Sequence, residues 1–404
     1  MTGTDYEIIP LPREHWEGTM IPMRYTTDVY YDVSIEKETD GYTIGMRKRK
    51  FDNPVTHCPE EYDFPDKLYQ PHWEKAYAWG IIDENDGKQE LMACIETCPE
   101  EWSNRLMVTE LWVHESLRRQ GIAHRLMAIA KEQAVLEHRR AIILETQSCN
   151  VGAISFYQQE GFEPIGIDSC CYSNHDLERK EVRINMGYFP RKFSEKGQKV
   201  TKDIITIRKE KETEYHKTEE VALRAFWNKH HLGCNEHLLV HKLRDSDVYL
   251  PELSRVAVAG DEIVGVICFA RATLKNQDQV KEVLTFGPLC VAPEWQGCGV
   301  GGLLLEETLA LAKEAGYEGI LILGDPDYYP LHGFQTCDHF GITTADGKNF
   351  DAFMGIELVK GALSGFGGRL IEPEVFEDLP EEENEVFTRQ FDAPAKQKYP
   401  CQWD

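Results

Sequence analysis

The chain of 404 residues lacks the features of a membrane protein or a zinc protein. No apolar run reaches the roughly 18 residues that a membrane-spanning helix needs, so we expect no membrane partner. Residues 1–7 have neither a basic start nor an apolar core, so we expect no signal peptide. Cys94 and Cys98 have no matching Cys or His pair at a zinc spacing, so we expect no metal site.

Positive charge is also scarce. The chain has 44 Lys and Arg residues against 69 Asp and Glu residues, which gives a formal net charge of −25. Nucleic-acid phosphates require a basic surface, so we expect no nucleic-acid partner. The acidic excess either keeps the protein soluble or attracts a cationic substrate. Part of it lies in an acidic run over residues 377–383, which we interpret as a solvated segment.

Cysteine is too sparse for a disulfide framework, with 12 residues in the whole chain. Cys94, Cys268 and Cys290 lie in apolar, strand-like runs, which is typical of buried, reduced thiols. We therefore expect a cytoplasmic protein. The length predicts two or three domains, at about 150 residues for each domain.

One short motif occurs twice. Residues 118–123 read Arg-Arg-Gln-Gly-Ile-Ala, and residues 296–301 read Gln-Gly-Cys-Gly-Val-Gly, with Gly299 lying 178 residues after Gly121. The same offset aligns apolar residues on both sides of the motif: Leu111 with Leu289, Val113 with Val291, Leu126 with Leu304, and Ile142 with Ile320. An internal repeat of this length indicates two related domains.

The repeat ends with a second shared pattern. Tyr157 lies four residues before Gly161-Phe162, and Tyr329 lies four residues before Gly333-Phe334. Gly333 lies 172 residues after Gly161, so the second copy has lost six residues in the connection. Agreement over a strand, a helix, a second strand and this ending favours duplication over two unrelated glycine turns.

Apolar periodicity predicts a similar order of elements around both motifs. In the first half we expect strands over 76–82, 91–96, 106–113 and 141–146, a turn over 83–87, and helices over 121–138 and 151–160. In the second half we expect a helix over 219–230 and strands over 255–259, 263–270 and 283–291. The predicted fold class is therefore mixed α/β.

The glycine turn between a strand and a helix is suited to bind a pyrophosphate. Gly121 and Gly299 can adopt a positive φ, and successive backbone N–H groups at a helix N-terminus attract anions. A P-loop would require Gly-Lys-Ser/Thr after the turn, where this chain has Ala123-His124 and Gly301-Gly302. Neither copy supplies the Gly-x-Gly-x-x-Gly of a dinucleotide fold.

Both motifs resemble the Arg/Gln-x-x-Gly-x-Gly/Ala signature of the GNAT superfamily of acetyl-CoA-dependent N-acetyltransferases. The resemblance implies two tandem GNAT folds, each a mixed, mostly antiparallel sheet flanked by helices, with two central strands splayed to admit the pantetheine arm. It also implies that acetyl-CoA contacts the strand end and the turn in both copies. Those residues are Leu111, Trp112, Val113, Arg118, Arg119, Gln120, Gly121, Ile122 and Ala123, and Leu289, Cys290, Val291, Gln296, Gly297, Cys298, Gly299, Val300 and Gly301.

The first half also resembles the streptothricin acetyltransferases, which acetylate an amine of a polycationic antibiotic. The resemblance lies in residues 144–157, in Gly161-Phe162 and in residues 166–174. It implies a cationic small-molecule amine as the acceptor, with streptothricin as a candidate and antibiotic resistance as the associated role. Residues 203–358 resemble predicted GNAT acetyltransferases of uncharacterised substrate.

The resemblance assigns candidate roles around the motif. Tyr157, and Tyr329 in the second copy, would protonate the leaving thiolate, although each could be a core aromatic residue. Asn150 would bond the pantetheine arm, cap a helix, or do both. Glu110 is either the general base or an exposed strand carboxylate. Trp102 and Glu282 are weaker candidates for the acceptor pocket and for a base in the second copy.

The second copy departs from the first, because Pro288 replaces Glu110 and no Asn150 counterpart is found. Three interpretations stay open. The first is a tandem enzyme in which at least the first domain transfers the acetyl group directly to the amine in a ternary complex. The second is one active domain with a structural or regulatory CoA-binding partner, and the third is an acetyl-CoA sensor without turnover. We expect domains at 1–188 and 204–358, a linker at 189–203 and an acidic C-terminal extension at 359–404. The protein could be a monomer or a homodimer.

Overall fold

The computed structural model of the protein describes residues 6–61, 65–85, 88–190, 204–277 and 279–402. These residues form two compact units, which divide between residues 192 and 193. Of the expected linker, residues 191–203 lie outside the described residues, as do residues 86 and 87 of the expected turn. Among the described residues, no helix has both the length and the apolar character to cross a membrane.

The first unit is a mixed sheet with helices. Its strands are β1 (Ile9–Pro10), β2 (Tyr25–Lys37), β3 (Tyr42–His57), β4 (Tyr77–Asn85), β5 (Lys88–Glu100), β6 (Arg105–Val113), β7 (Ala141–Gln147), β8 (Glu163–Asp168) and β9 (Arg183–Tyr188). Its helices are α1 (Arg13–Trp16), α2 (Ile122–Leu136), α3 (Val151–Gln159) and α4 (Asp176–Arg179). The order across the sheet is β1-β4-β5-β6-β7-β9-β8, while β2 and β3 pair as a separate ribbon.

Strand β6 is the centre of this sheet. Leu106, Val108, Glu110 and Trp112 are buried, and the residues between them are half-buried, which is the alternation of a strand. A bulge interrupts its pairing with β5 at Thr109, because Val108 lies opposite Thr97 and Glu110 lies opposite Glu96. A bulge bends its strand and changes the direction of nearby side chains. In β6 the side chain of Glu110, next to the bulge, is directed into the first unit.

The parallel strands β6 and β7 separate after a short contact. They pair only through Arg105–Met107 and Ala141–Ile143. Beyond Met107 the two strands leave a gap at the centre of the sheet. Backbone N–H and C=O groups along this gap are free of the sheet ladder and available to a ligand that enters it.

The second unit repeats this plan. Its strands are β10 (Ile205–Arg208), β11 (Arg255–Ala259), β12 (Glu262–Asn276), β13 (Gln279–Val291), β14 (Gly319–Leu323), β15 (Gln335–Thr336), β16 (Ile342–Thr343), β17 (Phe353–Glu357) and β18 (Gly368–Ile371). Its helices are α5 (Tyr215–Phe226), α6 (Glu236–Arg244), α7 (Val300–Glu314) and α8 (Glu381–Thr388). The order β10-β11-β12-β13-β14-β17-β15 matches the first sheet strand for strand.

Helices cover both faces of the second sheet. Leu304 and Leu305 of α7 pack with Ile267 and Phe269 on one face. On the other face, residues of α5 and α6 pack with the alternate strand residues, among them Cys268. The mixed α/β fold expected from the sequence is confirmed.

Helix α5 lies earlier than the 219–230 predicted from periodicity. It begins at Tyr215, directly after a 3₁₀ turn over Glu212–Glu214, and ends at Phe226. Trp227 adopts an extended ψ of 127°, and Asn228 has a left-handed φ of 53°. The helix therefore ends before His230, because its backbone changes direction at Trp227.

The C-terminal segment belongs to the second unit. Strand β18 pairs with both β12 and β16. The acidic run is more than a solvated segment, because the Nζ of Lys242 donates to Asp378 at 2.8 Å and to Glu383 at 3.1 Å. Tyr399, close to the end of the described chain, is fully buried.

Truncating either Phe of the repeated Gly-Phe ending is expected to destabilise its own unit. Phe162 and Phe334 are each only 2% exposed, so Phe162→Ala and Phe334→Ala should each lower the free energy of unfolding by about 3–5 kcal/mol. Denaturant titration measures the loss, and hydrogen exchange assigns it to one unit. Leu331→Ala, at an 81% exposed residue, is the control and should stay within about 0.5 kcal/mol. A loss below about 1 kcal/mol in either Phe variant would contradict the described core.

Candidate active site

The two glycine turns share one backbone conformation. Arg119 and Gly121 have φ values of 63° and 80°, and their counterparts Gly297 and Gly299 have 71° and 93°. A Cβ built on Gly121 or Gly299 would meet nothing within 4 Å. Glycine is therefore required at these positions by the left-handed backbone, and not because a side chain would clash with a neighbour. The space over each turn is open to a ligand at the N-terminus of α2 or α7.

The first residue of each motif fastens the turn to the preceding strand. Arg118 Nε donates to the carbonyl of Val113 at 3.1 Å, and Gln296 Nε2 donates to the carbonyl of Val291 at 3.0 Å. Arg and Gln can replace each other here because both supply this N–H. The expected anion contact of Arg118 is compatible with this bond, since the residue stays exposed.

Several predicted cofactor residues turn their side chains into the protein. Trp112 and Cys290 are 5% and 4% exposed and pack in the two cores. Ile122 and Val300 are buried at the starts of α2 and α7. At these positions the backbone, and not the side chain, is what a cofactor could contact.

The last residue of the second motif lies against an aromatic residue. A Cβ on Gly301 would lie 2.7 Å from the hydroxyl of Tyr328. The first copy has Ala123 at this position, and the counterpart of Tyr328 is Phe156, which has no hydroxyl. The choice between Gly and Ala therefore follows the aromatic partner.

Tyr157 and Tyr329 occupy equivalent, buried positions. Each residue is 8% exposed. Tyr157 packs with Phe156 and Phe162, and Tyr329 packs with Tyr328 and Phe334. Burial raises the pKa of both phenols, with a further contribution from the Glu110 charge at Tyr157. Both are therefore protonated at neutral pH and able to donate a proton.

Glu110 is buried in the first unit, with 8% of its surface exposed. The alternative of an exposed strand carboxylate is therefore wrong. Burial is the largest cause that raises its pKa well above the usual value, followed by the negative charges of Asp66, Glu96 and Glu145. The charge of Glu110 also contributes to the raised pKa of the Tyr157 phenol, after burial.

Glu110 lines a cleft of about 630 Å³ that also contains Asp66 and Glu145. Arg183, on the same cleft, pairs with Glu145 at 2.9 Å and with Asp168 at 3.0 Å. Among the described residues, Asp66 and Glu110 have no basic partner. Burial, and then the charge of Glu145, raises the pKa of Asp66. The cleft therefore has an excess of carboxylates, which favours a cationic ligand.

Glu96 lies opposite Glu110 on the neighbouring strand β5. It is fully buried, and its carboxylate accepts from Thr109 Oγ1 at 2.7 Å and from the Tyr69 backbone N–H at 2.6 Å. Sequence reasoning missed Glu96 and Asp66, since neither belongs to a local motif. Glu145 lay within the pattern at residues 144–157, but no local signal singled it out there.

Asn150 is a helix cap, as one of the two interpretations expected. Its Oδ1 accepts from the backbone N–H of Ala153 at 3.2 Å and begins α3. In the second unit the corresponding segment is a 3₁₀ turn over Tyr329–His332, which has no side-chain cap.

The two weaker candidates are exposed side chains. Trp102 is 84% exposed, so it is a surface residue. The Glu282 carboxylate lies 3.9 Å from Arg271, and its side chain is 58% exposed.

The second unit has no carboxylates at the two central positions. Its bulge lies in the same register, with Phe286 opposite Phe269 and Leu289 opposite Ile267. Pro288 thus takes the place of Glu110, and Cys268 takes the place of Glu96.

Gly301→Ala is expected to destabilise the second unit by about 1–3 kcal/mol, because the new methyl group would press on the Tyr328 hydroxyl. Tyr328→Phe should restore most of the loss, since Phe156 and Ala123 already coexist in the first unit. A double-mutant cycle on the free energy of unfolding measures the coupling. If Gly301→Ala costs the same with and without Tyr328→Phe, the steric explanation is refuted.

Glu110→Gln is expected to stabilise the first unit at neutral and alkaline pH. Between the ordinary value of 4.5 and the raised folded pKa, the folded state keeps a proton that the unfolded chain has lost. Stability therefore falls as pH rises through that window, and the neutral amide escapes this loss. Unfolding titrations across pH test the difference, which should vanish below about pH 4. The exposed Glu36→Gln is the control, and an equal gain there would refute the explanation.

Comparison with known proteins matches both units to one family. The acetyltransferase (GNAT) family model matches residues 46–162, and an acetyltransferase (GNAT) domain model matches residues 251–336. The chain is 37% identical over 118 residues to the uncharacterized N-acetyltransferase YjhQ of Escherichia coli K12, covering 29% of this chain and 62% of YjhQ. It is 30% identical over 134 residues to the uncharacterized N-acetyltransferase YhbS of the same strain, covering 33% of this chain and 78% of YhbS.

Two further comparisons are with proteins whose names state a ligand or a substrate. The crystal structure of Escherichia coli YhbS in complex with CoA superposes with a TM-score of 0.39 and 25% identity, covering 44% of this chain and 93% of YhbS. A streptothricin acetyltransferase of Escherichia coli is 32% identical over 101 residues, covering 25% of this chain and 58% of that enzyme. The turns, the strand gap and the sequence relatives agree, and the chain belongs to the GNAT family of acetyltransferases.

Proposed function

We propose that the first unit transfers the acetyl group of acetyl-CoA directly to a primary amine of a cationic small molecule. The observation that carries the proposal is the buried carboxylate of Glu110 in the cleft, together with the buried phenol of Tyr157. The charge of Glu110 contributes to the raised pKa of that phenol. Asp66, which has no basic partner among the described residues, is a second carboxylate in the same cleft.

The role of Glu110 follows from the state of the amine. A lysine-like amine with a pKa near 10.4 is neutral in only about one molecule in 10³ at neutral pH, which costs on the order of 4–5 kcal/mol. Glu110 accepts the ammonium proton, directly or through water, and its raised pKa makes it a better base than an ordinary carboxylate. The neutral amine then attacks the thioester carbonyl.

Tyr157 completes the transfer. As the new C–N bond forms and the C–S bond breaks, the phenol donates its proton to the leaving CoA thiolate. Free strand N–H groups beside the gap polarise the thioester carbonyl. The attacking nitrogen loses its second proton, which returns to Tyr157 through solvent, while the proton that Glu110 removed leaves to solvent. The products are therefore the acetylated amine and CoA thiol.

Acetyl-CoA is the proposed cofactor of both units. The open turns at Gly121 and Gly299 would hold its pyrophosphate, and the strand ends at Val113 and Val291 would contact its pantetheine arm. The CoA complex of the relative YhbS supports this assignment. When bound, acetyl-CoA supplies the activated acetyl group.

The acceptor proposal rests on charge. The carboxylates of Asp66 and Glu110, which lack a basic partner within the described part of the chain, suit an amine with additional positive charges. Likeness to a streptothricin acetyltransferase makes streptothricin the candidate to test first, with a resistance role in the cytoplasm as its physiological counterpart.

A second candidate function concerns the second unit alone. Pro288 and Cys268 replace Glu110 and Glu96, while the turn and Tyr329 are retained. These replacements favour a CoA-binding domain that lacks the amine chemistry of the first unit. The proposed domains are residues 1–188 and 204–358, and the segment after residue 358 packs on the second of them.

Turnover should depend on the first unit. Glu110→Gln and Tyr157→Phe are each expected to lower kcat by about 10²–10⁴, because each removes a proton transfer. Tyr329→Phe is the matched control and should leave turnover within about twofold of the native rate. CoA-thiol release with an amine panel that includes streptothricin measures the rates.

The pH profile adds a second readout. Native turnover should rise with pH through the raised pKa of Glu110, and the Glu110→Gln variant should lose that rise. Loss of activity in Tyr329→Phe, with none in Tyr157→Phe, would reverse the assignment of the active unit. If other amines react and streptothricin does not, the antibiotic proposal fails and the acetyl transfer stands.

A further inference from the structure

The strand bulge locates the acceptor side of each unit. In the first unit, Thr109 and Glu110 form the bulge and line the open cleft. The matching register in the second unit makes Gly287 the counterpart of Thr109 and Pro288 the counterpart of Glu110. An acceptor for the second unit would have to reach the backbone beside Gly287.

The space over Gly287 is filled by Phe376. A Cβ built on Gly287 would lie 3.0 Å from Cε1 of the Phe376 ring. Phe376 ends a 3₁₀ turn over Glu374–Phe376, whose residue Val375 packs with it against the α5–α6 face of the sheet. Glycine at 287 therefore lets the ring approach the strand where a threonine side chain stands in the first unit.

The segment that carries Phe376 is held at several points. Lys242 on α6 forms ion pairs with Asp378 and Glu383 on the segment. Further along, Asn384 Nδ2 donates to the carbonyl of Cys234 at 2.8 Å, and Gln402 Nε2 donates to the carbonyl of Asn228 at 2.7 Å. Because these contacts lie both before and after α8 in the chain, they hold the segment in place on the second unit.

We propose that Phe376 closes the acceptor side of the second unit, so that this unit binds CoA and excludes an amine acceptor. The inference rests on the proposed function, since it requires CoA in both units. It assigns the residues after 359 a role that the family fold does not supply. It also fits the loss of both central carboxylates, because a closed site has no amine to deprotonate.

A bisubstrate probe tests the closure. Alkylating the CoA thiol with N-(chloroacetyl)cadaverine joins CoA to an amine chain through an acetyl linker. Such a molecule needs both the cofactor site and the acceptor space. Isothermal titration of the full chain should show two sites for CoA and one tight site for the probe. Hydrogen exchange with the probe bound should place that tight site in the first unit.

Phe376→Ala should open the second unit. We expect two CoA sites as before and a second probe site at least tenfold tighter than in the native chain. Val386→Ala, at a 62% exposed residue of α8, is the matched control and should keep one tight probe site. If Phe376→Ala misfolds and loses a CoA site, the milder variant Phe376→Leu is tested in its place. We expect the same second probe site in that variant.

Three results would overturn the inference. Two native probe sites as tight as the CoA sites would show that the acceptor side is open. A folded Phe376→Ala protein that still binds one probe would show that another group closes it. One CoA site in the native chain would overturn this inference together with the proposed CoA site of the second unit, while leaving the chemistry of the first unit intact.

Discussion

The short pairing between β6 and β7 is the constraint on which the site depends. Two parallel strands that remained paired to their ends would satisfy each other's backbone groups and leave no opening in the sheet. Because pairing stops at Met107, the bulged part of β6 can present Glu110 to a space that a ligand can enter. The proposed cofactor turn, base and acid all belong to elements that follow from or adjoin this break in the hydrogen-bond ladder.

Local requirements made part of this arrangement predictable from the sequence. A left-handed backbone demands glycine at 121 and 299, and the strand before and the helix after each turn follow from periodicity. The Tyr157 position could be predicted because it lies a fixed distance from Gly161-Phe162. Asp66, Glu96 and Phe376 could not, because each reaches its site through tertiary packing and none has a local pattern. Helix α5 was misplaced for a related reason, since the change of direction at Trp227 leaves no strong signal in the sequence.

In the proposed roles, the two units separate cofactor binding from acceptor chemistry on one scaffold. Both keep the turn, the clamp from the first motif residue to the strand end, and the buried tyrosine. Only the first maintains two carboxylates at the bulge, against the unfavourable free energy of burying them. The second replaces them with Pro288 and Cys268 and covers the bulge with an aromatic ring. Its sheet centre is apolar where that of the first unit is charged.

The pairing of motif residue and aromatic residue also limits exchange between the two halves. The first unit combines Ala123 with Phe156, whereas Gly301 lies against Tyr328 and leaves room for its hydroxyl. A recombination event that carried the first turn into the second half, without the segment near residue 328, would bring a methyl group against that hydroxyl. Such sequences would be selected against even though each turn is sound in its own unit. The repeats have thus become distinct at a position where both still perform the same task, which protects a tandem gene from being homogenised.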